Sequence, residues 1–189
     1  MSVTSANLLM GPGVLYIADF GTAEPADADI ADPPGAGWND VGGTLGGLTV
    51  AIEQAYTELT VDQIVDLVGN RLTKRVMSLN TQLAEATLDS LARALNNPLP
   101  TPGVGFTAFE PPNDNSAVQP LYRAVLFDGF APGTNNNLRR RIIGRKVLST
   151  ENLETAYSKD GQTVFQVGFK CHYVSDAIRP FKVTDEAAA

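Results

Sequence analysis

The segment from Thr73 to Asn97 reads TKRVMSLNTQLAEATLDSLARALNN, and its apolar period changes partway along. From Met77 to Leu83 apolar residues and one threonine alternate with polar ones, which is typical of a half-buried β-strand. Further on, apolar residues recur at i, i+3, i+4 and i+7, the spacing of one helix face. These helical positions are Leu88, Leu91, Ala92 and Leu95. The segment therefore predicts a strand that leads directly into one amphipathic helix.

Both ends of this helix carry local signals. Glu85 and Thr87 precede the apolar face, where a side-chain oxygen can cap free N–H groups and a negative charge suits the helix dipole. Pro98 disfavours helical geometry at Asn97, so we expect the helix to end there. We expect Leu88, Leu91 and Leu95 to point into the core, whatever the function of the protein.

The composition favours a β-rich domain. The chain has 189 residues, of which 43% are hydrophobic and only 19% charged, with 17 Gly and 12 Pro. That length suits a single domain over 1–189, and the Gly and Pro content suits many turns between strands. We therefore predict a mainly β (α+β) fold, with arms at 1–12 and 176–189.

Several strands are predicted besides the one before the helix. Phe165–Tyr173 has the clearest alternation, and Cys171 falls on its core side. Val14–Phe20 is apolar on both sides, which is typical of a central strand. The remaining predicted strands are Leu48–Val61, Val104–Phe109, Leu121–Phe130 and Leu138–Ser149, and a turn is expected at Pro132–Asn137.

Few features indicate catalysis or a bound ligand. His172 is the only histidine and has no nucleophile motif beside it, so we expect no catalytic role and no enzyme activity. The glycines at 42, 43, 46 and 47 lack the Lys-Ser/Thr pair of a phosphate loop and are followed by a strand, which favours turns or bulges. Trp38, the only tryptophan, is expected to anchor the preceding loop. No cofactor is predicted.

Charge and cysteine content exclude other classes. The net charge of −7 makes the chain a poor candidate for binding nucleic acid through its phosphate groups. Cys171 is alone, so a disulfide framework or a zinc cluster is not expected. We see no signal peptide and no apolar run of the roughly 20 residues that span a bilayer. We expect a protein made in a cytoplasm, with no membrane partner.

The stretch 52–72 predicts a long projecting hairpin. Apolar residues sit on even positions at Leu48, Val50 and Ile52, but on odd positions at Leu59 and Val61. A strand changes its buried face only at a bulge, at a bend or against a new partner. A hairpin that leaves its sheet is unstable alone, so it lies either on a neighbouring subunit or on the surface as a plain hairpin. Its candidate interface residues are Glu53, Tyr56, Glu58, Leu59, Val61, Asp62, Ile64, Val65 and Leu67.

Charges gather in two other places. The strand Leu138–Ser149 carries five cations within eight positions, and the loop Gly21–Gly37 carries four carboxylates. The loop lacks the ligand order of a calcium site, so we expect it to be solvated and to hold no metal. The cations either protect an exposed strand edge or pair with an acidic neighbour, and we take Arg139, Arg141 and Arg145 as interface candidates. The cations are Arg139, Arg140, Arg141, Arg145 and Lys146; the carboxylates are Glu24, Asp27, Asp29 and Asp32.

Between about Gly11 and Tyr173 the chain resembles the tail tube, or major tail, proteins of long-tailed actinobacteriophages. The resemblance rests on the order of Trp38-Asn39-Asp40-Val41-Gly42, the run Leu48–Glu58, Val61-Asp62-Gln63 and Leu83-Ala84-Glu85-Ala86-Thr87-Leu88-Asp89-Ser90-Leu91 before a short helix. It implies a β-sandwich or distorted barrel flanked by one helix. It also implies hexameric rings that stack into a tube through which DNA is ejected without specific binding, in a virion tail. The implied partners are further copies of the chain, a tape measure protein, and tail terminator and tip proteins.

Two other classes stay open. A head decoration or head–tail connector subunit of a phage would share the composition and the lack of catalytic groups. A small-ligand β-barrel or an enzyme would need an apolar pocket with converging polar groups.

Overall fold

The computed structural model describes residues 7–9, 11–112, 117–133 and 138–187. Ten strands and one α-helix follow each other in these ranges, with a short 3-10 helix at Asp27–Asp29. They are β1 (Val14–Asp19), β2 (Asn39–Asp40), β3 (Thr44–Val61), β4 (Ile64–Leu83), α1 (Leu88–Ala94), β5 (Thr101–Gly103), β6 (Phe106–Ala108), β7 (Arg123–Phe130), β8 (Arg139–Ser149), β9 (Phe165–Cys171) and β10 (Phe181–Asp185). The prediction of a mainly β protein with one helix is confirmed.

Eight strands form one antiparallel sheet in the order β2-β1-β7-β8-β9-β4-β3, with β10 beside the first half of β8. β8 pairs with β10 over Arg140–Gly144 and with β9 over Val147–Ser149, so it changes partner along its length. β2 and β3 lie at opposite ends of this order, yet only Val41–Gly43 separates them in the chain. Four Cα steps span at most about 15 Å. The sheet therefore curls back on itself, as expected for a distorted barrel.

The main core lies inside this curl. Leu15 of β1, Leu79 of β4, Val125 of β7, Val147 of β8 and Phe169 of β9 belong to a single buried cluster. Such contact between distant strands requires the curl, because a flat sheet would hold β1 and β4 far apart. The predicted strand phases are confirmed: the buried set includes Met77, Leu79, Thr81 and Leu83 on β4, and Phe165, Val167, Phe169 and Cys171 on β9. The prediction fails at Tyr173, which lies beyond the end of β9 and is 63% exposed.

A smaller cluster covers the outer face of β1, β7 and β8. Trp38 is 8% exposed and packs with Ala18, Leu126 and Ile143, and its indole Nε1 donates to the carbonyl of Ala23 at 3.0 Å. The prediction that the tryptophan anchors the preceding loop is confirmed. Because the loop covers this face, β1 is apolar on both sides.

The helix differs from its sequence pattern. Thr87 is the N-cap as predicted, and its hydroxyl accepts from the backbone N–H of Ser90. Asn96 adopts a φ of 57°, so the helix stops before the residue that precedes Pro98. Leu88 and Leu95 are 39% and 40% exposed, so the prediction that both point inward is wrong. Leu88 is the first of the seven helix residues and Leu95 is the C-cap. The buried positions of the helix are Ser90, Ala92 and Ala94, while Leu91 packs partly against the core.

Three other predicted segments need correction. Residues 62–72, expected to connect the predicted strand Leu48–Val61 to the strand predicted from Thr73, are themselves mostly strand, because β4 begins at Ile64. Val104 lies in the turn of the β5–β6 hairpin, not in a strand over 104–109. The predicted arm at 176–189 contains β10, which pairs with β8. The arm 1–12 lies largely outside the described residues, and so does most of the turn predicted at Pro132–Asn137.

Candidate functional site

The hairpin formed by β3 and β4 extends beyond the rest of the sheet. The two strands pair from Thr44–Leu83 to Val61–Ile64, and only Asp62 and Gln63 form the turn. β9 pairs with β4 only from Ser78 onward. Among the described residues, β3 has no second strand beside it, and neither does β4 before Ser78. A two-stranded ribbon of this length is at most marginally stable in water by itself.

Side chains of the hairpin are turned to solvent. No side chain between Thr44 and Arg75 is buried, although many are apolar. Apolar side chains concentrate at the tip, where Val65 is fully exposed. The exposed apolar residues are Leu45, Val50, Ile52, Tyr56, Leu59, Val61, Ile64, Val65, Leu67, Val68 and Leu72. An exposed apolar surface of this extent is typical of a binding site for another protein.

The register of the hairpin is irregular, and at the middle of its length the extra residue belongs to β4 and not to β3. The pairing steps from Ala55–Lys74 to Tyr56–Leu72, which leaves Thr73 as an extra residue in β4. The Thr73 hydroxyl donates to the carbonyl of Ala55 at 3.1 Å. Further shifts follow at Leu59–Val61 and at the glycines 46 and 47, which both have positive φ. The shift at glycines 46 and 47 agrees with the turns or bulges predicted there.

The nine interface candidates of the hairpin are all exposed, which places them where a partner could reach them. They are Glu53, Tyr56, Glu58, Leu59, Val61, Asp62, Ile64, Val65 and Leu67.

The cations of β8 have a different environment from the one expected. Arg141 is only 3% exposed, and its guanidinium donates to both carboxylate oxygens of Asp128 at 2.6 and 2.8 Å. It also donates to the carbonyl of Asp32 at 2.7 Å, and so holds the acidic loop against the sheet. A buried arginine with these partners has no donor to offer another subunit. The expectation that it pairs across a subunit contact is therefore replaced by pairing within the chain.

Other charges of the loop and of β8 also pair inside the chain. Arg145 pairs with Glu24, Lys182 with Asp27, and Arg140 with Asp185 at 2.6 Å. The hydrogen bond from Arg140 lowers the pKa of Asp185, and the one from Lys182 lowers the pKa of Asp27. The ion pairs of Glu24 and Asp27 thus hold the acidic loop against β8 and β10, and the loop is not simply solvated.

Arg139 alone of the three arginine candidates remains accessible. Its side chain is exposed, and its guanidinium carbon lies 5.0 Å from the centre of the Phe130 ring. No ion pair forms at Arg139 within the described part of the chain.

His172 and Cys171 follow each other at the end of β9. Burial lowers the pKa of His172, with a further contribution from Lys146 and Lys170, and its Nε2 has no hydrogen-bond partner among the described residues. Burial raises the pKa of the Cys171 thiol to about 12, which leaves it an inert core group. No group of three His, Cys, Asp or Glu side chains in the described ranges is arranged to hold a metal ion.

A basic cleft that no sequence pattern predicted lies at the base of the hairpin. Lys74 and Arg75 of β4 line it together with Arg179, and Tyr173 and Phe181 form its apolar wall. Within the described residues, none of these three cations forms an ion pair. The sequence signal is the run Arg71-Leu72-Thr73-Lys74-Arg75, which contains three cations and no acid.

No protein-family model and no curated protein sequence matches the chain. One similar solved structure is a chain of the virion of a native gene transfer agent (GTA) particle. It is 12% identical, with 92% of this chain and 95% of that chain covered at a TM-score of 0.44. Another is from the tail of an empty GTA particle, computed with helical refinement and C6 symmetry; it is 11% identical, with 86% and 92% covered at a TM-score of 0.43.

Among the described residues, no helix combines the length and apolar character that crossing a membrane requires.

Proposed function

We propose that this protein is a structural subunit of a phage tail tube, which polymerises as stacked hexameric rings. The observation that carries the proposal is the β3–β4 hairpin, a long ribbon with exposed apolar side chains and no second partner in its own subunit. The family resemblance in the sequence, which centres on this hairpin and on the short helix after it, supports the same role.

A second copy of the chain is the partner that this surface fits best. The hairpin has unpaired backbone groups along both edges of its outer part, which can extend a neighbour's sheet. Apolar side chains of the tip raise the free energy of the free subunit because they are exposed to water. Burying them in an assembly removes this unfavourable exposure. The proposed contact consists of the nine exposed hairpin candidates, together with Arg139 at the start of β8.

The remaining features agree with a conduit for DNA. A channel that carries DNA without holding it should repel phosphate, and the chain has a net charge of −7. In this role the subunit performs no catalysis and binds no cofactor. It belongs to the virion tail and is made in the host cytoplasm. Its other contacts are with a tape measure protein inside the tube and with terminator and tip proteins at its ends.

Electron microscopy of the concentrated protein tests this proposal directly. We expect tubes of constant diameter with six subunits around each ring. Isolated rings that do not stack would instead indicate a connector, and a protein that stays monomeric at high concentration would contradict the proposal.

A shortened hairpin provides the matched variant. Tyr56 and Leu72 face each other, so Thr57–Arg71 can be replaced by an Asn-Gly turn between them without altering the buried end of β4. We expect this variant to fold, as judged by its melting curve, and to form no tubes. Normal tubes from the shortened protein would show that the hairpin is not the assembly element.

A further inference from the structure

Charge is segregated along the hairpin. The tip, residues 59–70, carries Asp62 and Asp66 and no cation. The base, residues 71–75, carries Arg71, Lys74 and Arg75 and no acid. The tip of the hairpin therefore combines apolar side chains with two carboxylates, whereas its base carries only positive charges.

The base forms a cleft and not a flat surface. Lys74 and Arg75 line it with Arg179, which comes from the segment before β10. The nearest acid on that segment, Asp176, accepts a hydrogen bond from the Tyr173 hydroxyl at 2.7 Å and forms no ion pair with Arg179. On the facing strand, Glu53 lies opposite Val76 and makes no ion pair either. Three cations thus line one cleft, and none of them has a carboxylate within ion-pair distance, in a chain that is acidic overall.

The tip cannot reach the cleft of its own subunit. Asp66 and Lys74 lie on the same paired strand, β4. Eight residues of strand at 3.4 Å each hold the nearer tip acid about 27 Å from the cleft. Contact between tip and cleft therefore requires two copies of the chain.

We propose that the acidic tip of one subunit docks in the basic cleft of the next subunit. The inference rests on the proposed function, and it names the two surfaces that meet. Asp62 and Asp66 would face Lys74, Arg75 and Arg179, while the apolar tip side chains would cover Tyr173 and Phe181.

Such a contact is head-to-tail, because each subunit presents a tip to one neighbour and a cleft to the other. Repetition of a head-to-tail contact produces a closed ring or an open helix. Opposite charges at the two surfaces also set the direction of docking, since tip against tip or cleft against cleft would bring like charges together.

Two charge-reversed variants test the contact. The tip variant carries Asp62→Lys and Asp66→Lys, and the cleft variant carries Lys74→Glu and Arg75→Glu. Each alone brings like charges together, so neither should assemble. An equimolar mixture lets every tip meet an opposite cleft in alternation, so the mixture should assemble again. The control carries Lys159→Glu and Asp160→Lys in an exposed loop, where no ion pair forms, and should assemble like the parent.

Assembly is read by light scattering and electron microscopy, after melting curves have confirmed that each variant folds. If the parent forms tubes and either variant does so alone, or the mixture fails, the tip-to-cleft contact is refuted while the proposed function stands. If the parent itself forms no polymer, both proposals fail.

If a charge-reversed variant does not fold, neutral substitutions at the same positions test the contact. Asp62→Asn with Asp66→Asn removes the tip charge without repulsion, and we expect the concentration needed for assembly to rise severalfold. An unchanged concentration would refute the contact.

Discussion

At the scale of residues, Arg141 and Arg145 lie on the same strand, yet their surroundings differ. The side chain of Arg141 is 3% exposed and that of its partner Asp128 is 16% exposed. The side chain of Arg145 is 17% exposed and that of Glu24 is 32% exposed. Breaking a buried ion pair leaves a charge without compensation, whereas an exposed pair is solvated when broken.

We expect Arg141→Gln to lower the free energy of unfolding by about 3–5 kcal/mol, the range for a broken buried pair. Arg145→Gln should lower it by about 1 kcal/mol or less, as an exposed pair would. Urea unfolding of the two variants checks this difference. Equal losses would contradict the role of Arg141 as the residue that fastens the acidic loop.

Phe169 is 1% exposed at the centre of the main core. Phe169→Ala should lower the free energy of unfolding by about 3–5 kcal/mol, because it removes a large buried side chain and leaves a cavity. Phe106 is 65% exposed, so Phe106→Ala serves as the control and should change little. A Phe169→Ala protein that melts with the parent would contradict the assigned phase of β9.

The Cys171 thiol is buried, and its pKa is raised to about 12. Thiolate is the reactive form, so at neutral pH the folded protein should react with a thiol reagent only as it unfolds. We expect full labelling of the thiol in denaturant and almost none in native buffer, and mass spectrometry measures the labelled fraction. Rapid labelling of the native protein would show that the end of β9 opens.

At the scale of elements, β4 joins two different environments. From Met77 to Leu83 alternate side chains are buried, and β9 pairs with the strand from Ser78 onward. From Ile64 to Arg75 the same strand has no buried side chain and pairs only with β3. The second half of β4 is therefore stable within the subunit, whereas the stability of its first half depends on a partner.

We predict that backbone amides between Leu59 and Leu72 exchange hydrogen rapidly in the free subunit and slowly in the assembled state. Amides from Leu79 to Leu83 should exchange slowly in both states and provide the internal reference. Hydrogen exchange with mass spectrometry measures the difference. Slow exchange at the tip of the monomer would mean that the hairpin is stable without a neighbour.

At the scale of the whole molecule, the charge balance leaves cations available at the cleft while the chain stays acidic overall. Attraction between an acidic tip and a basic cleft is screened over a Debye length of about 10 Å at 0.1 M salt. Assembly should therefore weaken as sodium chloride rises through the screening range. An assembly driven by apolar contacts alone would strengthen, because salting-out favours them. Light scattering against salt concentration distinguishes the two, and a steady rise would contradict the electrostatic contact.

Local patterns in the sequence determined several features of this protein. The alternation from Met77 to Leu83 and from Phe165 to Cys171 gave the buried faces of two core strands, because side chains of a strand alternate between its faces whatever surrounds it. Thr87 could be identified as the helix cap because the contact is local: the N–H that it caps belongs to Ser90, three residues away. The parity change over residues 48–61 indicated that this stretch leaves the sheet, and the hairpin it forms is exposed.

Only the tertiary structure decided how the charges pair and which helix face is buried. Arg141 meets Asp32 across 109 positions of sequence, so no local pattern could show that the acidic loop folds over β8. The buried helical positions are small, at Ser90, Ala92 and Ala94, and the leucines at the two ends of the helix, Leu88 and Leu95, face solvent. The basic cleft likewise depends on Arg179 meeting Lys74 and Arg75, because a cleft exists only where folding brings distant segments together.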